Sequence, residues 1–127
     1  MKQIVIISFW VMAQTMLFSQ NGIENVNNAL KTGNSKTLSE YFHNNVELTI
    51  LKKQESYSKA QAEQIVDRFF KEHPPQKYKV NHNGVSGDGS KYVIGLLETA
   101  NGNFTVYIYY KMVQGQELIQ TLRFNTK

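Results

Sequence analysis

The chain has 127 residues, no cysteine and a formal net charge of +4 at pH 7. The lack of cysteine excludes disulfide bonds, thiolate metal sites and the lipidated cysteine of a bacterial lipoprotein. The basic residues are scattered, and the one adjacent pair is Lys52–Lys53, whereas a nucleic-acid-binding protein concentrates its positive charge on one face. We therefore expect no nucleic-acid partner.

Residues 1–20 have the features of a secretory signal peptide. Lys2 supplies a positive charge, and a mostly apolar run from Ile4 to Phe18 follows it. An uncleaved membrane anchor and a buried helix are the alternatives, but the run is short for a membrane span and two polar residues interrupt it. We expect cleavage near Gln20, a periplasmic or secreted protein without a membrane anchor, and a single mature domain over residues 21–127.

Two short helices are predicted at the start of the mature chain. Their apolar residues recur at helical spacing, with Ile23, Val26 and Leu30 in the first helix and Leu38, Tyr41 and Phe42 in the second. Gly33 is suited to end the first helix, because glycine readily adopts the left-handed conformation found after a helix. Asn34 or Ser35 can cap the second helix.

A strand and a third helix are predicted next. Val46, Leu48 and Ile50 alternate with Glu47 and Thr49, which is typical of a strand with one buried face. Residues 52–57 are polar and are expected to form a connection. A helix over about residues 59–72 follows, with Ser58 and Gln61 as its capping box, Pro74 and Pro75 beyond its end, and one apolar stripe formed by Ala62, Ile65, Val66, Phe69 and Phe70.

The second half of the chain has the composition of a sheet. Tyr78, Val80 and His82 alternate with polar residues, and a glycine-rich connection is expected over residues 83–90. Two β-rich runs at residues 92–99 and 104–112 flank Asn101–Gly102, a strong hairpin signal, and a last strand is expected at about residues 118–125. Helices followed by consecutive strands indicate an α+β domain with helices on one face of an antiparallel sheet.

A two-residue turn at Asn101–Gly102 would divide the hairpin side chains into two faces. One face would carry Tyr92, Ile94, Leu96, Tyr107 and Tyr109, and the other would carry Val93, Gly95, Leu97, Phe104, Val106, Ile108 and Tyr110. The second, more apolar set is expected to meet the helices; a bulged turn would shift the register by one residue and regroup the partners. Tyr107 and Tyr109 are the interface candidates for a homodimer, and the alternative is that this face stays exposed to solvent.

Several blocks of sequence resemble one uncharacterised family of small exported bacterial proteins, a domain of unknown function. They include residues 38–42, 57–63 and 88–95, together with Thr99–Ala100–Asn101–Gly102 and residues 119–124. The resemblance covers nearly the whole mature chain and implies a nuclear-transport-factor-2-like (cystatin-like) fold, in which a strongly bent sheet wraps the N-terminal helices into a cone. It implies no activity and no catalytic residues.

The candidate binding residues are His82, Tyr41 and Tyr78. His82 continues the phase of Tyr78 and Val80, which would place it in the cone interior, where a histidine can act as an acid, a base or a ligand contact. The interpretation that we favour is a strand-end histidine that is solvated or bonded to the backbone. The sequence predicts no metal site and no cofactor, because no histidine has a partner at ligand spacing.

Three functions remain open from the sequence. The leading hypothesis is a non-enzymatic exported domain that binds a small molecule or a partner protein through the cone pocket or the outer sheet face. A cone-pocket enzyme, such as an isomerase, dehydratase or hydrolase, would use His82 with tyrosine hydroxyls. The two strand carboxylates, Glu47 and Glu98, are expected to lie outside the cone, which counts against this second hypothesis. The third is a structural, envelope-associated homodimer.

Overall fold

The computed structural model describes residues 22–127, so the predicted signal peptide lies outside the described residues. The helices are α1 (Gly22–Thr32), α2 (Ser35–Ser39) and α3 (Lys59–Glu72), and the strands are β1 (Phe42–Ile50), β2 (Lys53–Ser58), β3 (Pro75–Val85), β4 (Lys91–Thr99), β5 (Gly102–Val113) and β6 (Gln116–Thr126). Among the described residues, no helix is both long enough and apolar enough to cross a bilayer.

The six strands form one sheet in the order β2-β1-β6-β5-β4-β3. Neighbouring strands run antiparallel except β1 and β6, which are parallel. The helices cover one face of the sheet, and the buried apolar side chains of helices and strands form one core. The predicted α+β class is therefore confirmed. We call the sheet face that meets the helices the inner face and the opposite one the outer face.

The turn between α1 and α2 uses backbone carbonyls that a helix end leaves free. Gly33 has a φ of +70°, the N–H of Asn34 donates to the carbonyl of Ala29 at 2.8 Å, and the N–H of Gly33 donates to that of Leu30 at 3.4 Å. These bonds form a Schellman motif. The side chain of Asn34 then caps α2 by accepting from the N–H of Thr37 at 3.0 Å. The second helix is shorter than expected, because Tyr41 and Phe42 lie beyond it and Phe42 opens β1.

Helix α3 begins and ends as the sequence predicts. Both bonds of the capping box are present, with the Gln61 N–H donating to Ser58 Oγ and the Ser58 N–H donating to Gln61 Oε1, each at 3.2 Å. The buried face of the helix packs an aromatic cluster against the sheet. The ring of Phe69 lies 4.5 Å from that of Phe124 and 5.0 Å from that of Phe104, measured between centroids.

Strand β2 corrects one prediction, because the polar segment expected as a connection is an edge strand. It pairs antiparallel with β1 from Asn45 opposite Ser58 to Ile50 opposite Lys53. Every residue of β2 except Tyr57 is exposed. The strand therefore lacks the alternation of apolar and polar side chains by which strands are recognised in a sequence.

The β4–β5 hairpin forms, but its turn lies one residue earlier than expected. Thr99 pairs with Gly102, so Ala100 and Asn101 are the turn residues and Gly102 alone takes a positive φ, of +111°. Ile94 now lies opposite Tyr107 rather than Tyr109. A slip of two residues along the ladder keeps every side chain on its face. The predicted inner and outer sets of the hairpin are therefore confirmed.

Candidate functional site

A bulge in β3 decides where His82 points. Val80 lies opposite Gly95 and His82 lies opposite Ile94, so Asn81 is an extra residue in the ladder. The extra residue reverses the alternation, and His82 falls on the outer face with Ile94 while Val80 stays on the inner face. The expected continuation of the Tyr78–Val80 phase is therefore wrong at His82.

His82 is exposed on the outer face and bonds to a tyrosine. Its Nε2 lies 3.0 Å from the hydroxyl oxygen of Tyr92. The ring of Tyr92 covers Gly84 on the edge strand, where a Cβ would lie 2.5 Å from a ring carbon. His82 itself is exposed, as the favoured interpretation expects, but its hydrogen-bond partner is a side chain rather than the backbone.

A pocket of about 290 Å³ opens on the inner face between α1 and the strands β3 and β4. We call it the α1 pocket. It is lined by Ile23 and Asn27 from α1, by Val80, Asn83, Gly84 and Val85 from β3, and by Lys91, Tyr92 and Val93 from β4. Helix α1 packs along β3 and closes the side of the pocket that faces away from the sheet. The aliphatic lining residues are Ile23, Val80, Val85 and Val93, and the side chains with polar groups are those of Asn27, Asn83, Lys91 and Tyr92.

The polar groups of the α1 pocket come from both walls. Asn27 projects from α1, and its Oδ1 is buried without a hydrogen-bond partner in the described part of the chain. Lys91, on the strand side, is bound by the carboxylate of Glu117. A buried amide oxygen without a partner is costly, which makes Asn27 a group that a ligand could satisfy.

Tyr78 lies on the inner face beside this pocket. Its ring covers Gly95, where a Cβ would lie 2.5 Å from the hydroxyl oxygen. Gly95 lies directly opposite Val80 and two residues from Val93, both of which line the pocket. Burial raises the pKa of Tyr78 well above its usual value. The hydroxyl is buried and has no hydrogen-bond partner among residues 22–127.

Tyr110 lies at the same end of the sheet and is more deeply buried than Tyr78, with 1% of its surface exposed. It lies directly opposite Lys91 in the β4–β5 ladder. Its hydroxyl also has no partner within the described chain. Burial raises the pKa of Tyr110, and the neighbouring Tyr78, Glu117 and Tyr41 raise it further, because each of them carries or can acquire a negative charge.

Tyr41, the third candidate, lies at the same end of the molecule but has a partner. Its hydroxyl accepts a hydrogen bond of 2.8 Å from Nδ2 of Asn25. The structure thus brings Tyr41 and Tyr78 to one end of the inner face and leaves His82 on the other side of the sheet. Sequence reasoning missed Asn27 and Lys91. The alternation of side chains along β4 would have placed Lys91 on the inner face with Val93 and Gly95. The orientation of Asn27 could not be predicted, because it depends on how α1 packs against the sheet.

The interface candidates Tyr107 and Tyr109 lie half-buried on the outer face. The guanidinium of Arg123 stands 5.0 Å from the centroid of the Tyr107 ring and 3.9 Å from a carboxylate oxygen of Glu47. Tyr109 lies between Tyr92 and Thr121 in the ladder. Glu47 shares this face, as the sequence predicts, since it pairs with Thr121.

Two further depressions are less suited to a small ligand. A groove of about 590 Å³ between α2 and α3 is polar, and its Asp67 already pairs with Lys71 at 3.0 Å. A pocket of about 270 Å³ lies between α3 and the β1–β2 hairpin, with Phe69 and Ile65 in its wall. Within residues 22–127, no group of three or more histidine, aspartate or glutamate side chains is placed to hold a metal ion.

Comparison with known proteins gives a family and a fold. Residues 23–125 match the domain of unknown function DUF4783. A solved DUF4783 protein from Bacteroides uniformis is 38% identical, with a TM-score of 0.78, and the match covers 82% of this chain and 95% of that one. A second, from Bacteroides fragilis, is 35% identical, with a TM-score of 0.78 and coverage of 81% and 96%.

More distant structures share the fold alone. A nuclear-transport-factor-2-like protein of unknown function from Shewanella baltica is 12% identical, with a TM-score of 0.63 and coverage of 84% and 89%. The predicted nuclear-transport-factor-2-like cone is thereby confirmed. No curated protein matches the sequence.

Proposed function

The chain belongs to the DUF4783 family, and from this premise we propose that it is a non-enzymatic domain that binds a small molecule in the α1 pocket. The observation that carries the proposal is Asn27 Oδ1, a buried acceptor without a partner in the described chain, on a residue that lines a pocket of about 290 Å³. Small-molecule sites combine a largely apolar wall with a few convergent polar groups, and this pocket has that composition.

The positions of the ionisable groups favour binding over catalysis. The two carboxylates weighed as bases, Glu47 and Glu98, belong to the outer set, because they pair with Thr121 and Asn103. His82 lies on the outer face as well. The lining of the α1 pocket contains no carboxylate, and Glu117, which reaches its lining residue Lys91, is neutralised by that ammonium group. A general base needs to lie within hydrogen-bond reach of its substrate, so this arrangement gives no support to the cone-enzyme hypothesis.

Native mass spectrometry of the protein purified from its own host tests the proposal. Wild type should retain a small molecule, and Ile23→Trp should lose it, because a larger side chain in the first turn of α1 fills the pocket. Ile94→Trp is the matched control: it adds the same side chain to the outer face and should retain the ligand. Loss of the molecule from the control but not from Ile23→Trp would move the site to the outer face.

We also propose that the protein is exported. The support is the sequence of residues 1–20, with Lys2 before an apolar run. N-terminal sequencing of the protein recovered from the periplasm or the medium should find a start near Asn21. An intact Met1 in the membrane fraction would contradict export as a soluble protein.

A second candidate function is that of a homodimer formed through the outer face. The observation that favours it is a contiguous apolar patch on the neighbouring antiparallel strands β4 and β5, formed by Tyr92, Ile94, Leu96, Tyr107 and Tyr109, all half-buried in the single chain. The helices lie on the opposite face and do not cover this patch. A second copy related by a two-fold axis is the partner that presents a matching surface without any further component.

A further inference from the structure

The two edges of the sheet differ in how well they are protected. Strand β3, at one edge, begins at Pro75 and has a bulge at Asn81. Proline and bulges are among the features that keep an edge strand from pairing with another chain. Strand β2, at the other edge, contains no proline or glycine, and it pairs with β1 in an unbroken register. The β2 edge is therefore the one that is open to a further strand.

One hydrogen bond shows which backbone groups of β2 point outward. The N–H of Ser58 donates to Oε1 of Gln61 at 3.2 Å, and therefore not to β1. In an antiparallel pair, residues that bond to the partner strand alternate with residues whose N–H and C=O groups point away from it. Because the register of β1 and β2 is regular, Gln54 and Ser56 share the outward orientation of Ser58. Both residues are exposed, so their backbone groups are available to an added strand.

A pocket of about 270 Å³ lies beside this edge, between α3 and the β1–β2 hairpin. We call it the α3 pocket. Lys53 and Tyr57 of β2 belong to its wall, and both lie on the inner face, because they pair with Ile50 and Val46 of β1. The apolar side chains in the lining are those of Leu48, Ile50, Ile65 and Phe69. The pocket thus has room for one large apolar side chain that projects from the inner face of a strand added to β2.

The charged groups around the α3 pocket are unpaired and mostly positive. Lys53, Arg68 and Glu72 line it, and none of them forms a salt bridge within residues 22–127. Lys52 and Lys59 add one cation beyond each end of this strand. Charge is thus the remaining filter on the β2 edge, and it favours an acidic segment over a basic one.

Glu55 is the one carboxylate of β2, and it already has a partner. Its hydrogen bond with the Tyr57 hydroxyl raises the pKa of that tyrosine. The two cations in the pocket lining, Lys53 and Arg68, therefore remain available to a carboxylate of another chain.

We propose that the β2 edge binds an extended acidic peptide of a partner protein by antiparallel strand addition. The peptide residue opposite Glu55 places a large apolar side chain in the α3 pocket. An acidic residue two positions away projects from the same face, because side chains alternate along a strand, and its carboxylate meets Lys53 and Arg68. The peptide backbone bonds to the outward groups of Gln54 and Ser56. This inference goes beyond the small-molecule function, since the α1 pocket is built from other elements.

Amide NMR of the isotope-labelled protein, titrated with synthetic peptides, tests the inference. The probe is acetyl-Thr-Asp-Thr-Phe-Thr-Asp-Thr-amide, which presents phenylalanine and both aspartates on one face of a strand. The amide signals of Gln54 and Ser56 should shift, and their hydrogen exchange should slow, because the peptide pairs with them. Replacing phenylalanine by alanine should weaken binding about tenfold or more, as expected for the loss of a buried aromatic ring. Replacing both aspartates by lysine should abolish binding.

N-methylated peptides separate strand addition from simple occupation of the pocket. Methylating the backbone nitrogens of the two threonines beside phenylalanine removes the N–H groups that face β2. Binding should weaken about tenfold or more, as expected for two lost hydrogen bonds. Methylating the phenylalanine nitrogen is the matched control, because that N–H points away from β2, and it should preserve the affinity. Equal effects of the two modifications would overturn strand addition.

Three changes in the protein test the same contacts. Ser56→Pro removes an outward N–H from an edge strand, where proline is tolerated, and should block the peptide. Lys53→Gln and Arg68→Gln should each weaken binding roughly two- to fivefold, as expected for exposed ion pairs. Lys79→Gln removes the same charge from an exposed residue of the opposite edge strand and is the matched control. If Ser56→Pro melts well below wild type, the N-methylated peptides decide the question with the protein unchanged.

The remaining outcomes distinguish this site from the α1 pocket. Ile23→Trp should leave peptide binding intact, because it alters the α1 pocket alone. Loss of peptide binding in Ile23→Trp but not in Ser56→Pro would overturn the inference and move the peptide to the α1 pocket. Failure of the acidic peptide to bind wild type, or binding without a response at Gln54 and Ser56, would overturn the inference and leave the small-molecule function standing.

Discussion

Two glycines on neighbouring strands each accept a tyrosine ring, one on each face of the sheet. Tyr78 covers Gly95 on the inner face and Tyr92 covers Gly84 on the outer face. A ring that lies over a glycine shields the backbone and fills the volume that a side chain would occupy. At the residue scale, these two glycine–tyrosine pairs determine the positions of the Tyr78 and Tyr92 hydroxyl groups beside the candidate site.

Gly95→Ala should destabilise the protein by about 1–3 kcal/mol, because the added methyl group would overlap a packed aromatic ring. Urea denaturation gives the change in unfolding free energy. Gly87→Ala is the matched control: a Cβ there meets no atom within 4 Å, and alanine should be neutral or stabilise by a few tenths of a kcal/mol. In a Tyr78→Leu background the cost of Gly95→Ala should fall. An equal cost in both backgrounds would show that the ring is not what excludes the methyl group.

The position of His82 shows what residue patterns cannot specify. Alternation predicts a face only while the ladder is regular, and Asn81 breaks it without any signal in its own identity. Bulges arise from the curvature that the whole sheet needs, which a stretch of three or four residues does not encode. Tyr78, which precedes the bulge, lies on the expected face, and His82, which follows it, does not.

At the scale of elements, α3 carries the aromatic packing of the core. Phe69→Ala should cost about 3–5 kcal/mol, because the Phe69 ring contacts both Phe104 and Phe124 and its removal would leave a cavity. Gln64→Ala, on the exposed side of the same helix, should change the free energy of unfolding by less than about half a kcal/mol. Urea melts of the two variants provide the comparison, and equal midpoints would mean that the helix is rotated from its described orientation.

The two hydrogen bonds that Asp67 of α3 accepts, one from within its helix and one from α2, should give stability a dependence on pH. Lys71 and Ser35 donate hydrogen bonds to the carboxylate of Asp67 and lower its pKa, with Lys71 the larger cause. A carboxyl group with a lower pKa in the folded state stabilises the fold above its ordinary pKa, and this stabilisation is lost as the pH falls through the folded value. Asp67→Asn should therefore be less stable than wild type at about pH 7, and the difference should shrink towards about pH 3.

Ser35→Ala provides the control for this pH dependence. It removes one of the two donors and leaves the Lys71 pair at 3.0 Å intact. Its stability should vary with pH in the same sense as wild type but less steeply. A difference between Asp67→Asn and wild type that stays constant over the whole range would show that the carboxylate charge does not contribute.

Elements with an apolar stripe are predictable from this sequence, and elements without one are not. Helix α3 has its cap, its apolar stripe and its stop within the 18 consecutive residues from Ser58 to Pro75, so local chemistry alone defines it. Strand β2 is polar on both faces, and β1 defines it through backbone bonds that any residue can make. The β4–β5 hairpin lies between these cases. The Asn101–Gly102 pair predicts that a turn occurs here, but the register of the two strands depends on the fact that only Gly102 adopts a positive φ.

At the scale of the whole molecule, the order of helices and strands together with the family resemblance is sufficient to predict the fold. The site was less accessible, because the α1 pocket combines residues of α1, β3 and β4 that are distant in the sequence. Residue type alone makes Tyr78 and Tyr41 candidates, and the strand alternation places Tyr110 on the inner face. Which hydroxyls lack a partner depends on the packing of three elements, and no local pattern records it.

The outer face provides the prediction about the whole molecule. If it joins two copies, wild type should sediment as a dimer whose fraction rises with micromolar concentration. Tyr107→Glu/Tyr109→Glu should sediment as a monomer, because a buried carboxylate without a partner opposes association. Both tyrosines are changed because Arg123, which already stacks on the Tyr107 ring, can neutralise a glutamate at position 107. A glutamate at position 109 faces Thr121 and Tyr92 and has no such cation beside it in the ladder.

The control is Asn44→Glu/Asn45→Glu, which adds the same charge to two exposed residues at the start of β1 and should stay dimeric. A cooperative thermal transition of the Tyr107→Glu/Tyr109→Glu variant would show that its monomer is folded, although it should melt below the dimeric control because association stabilises the folded state. A wild type that remains monomeric at every concentration would exclude the homodimer and leave the patch to a different partner.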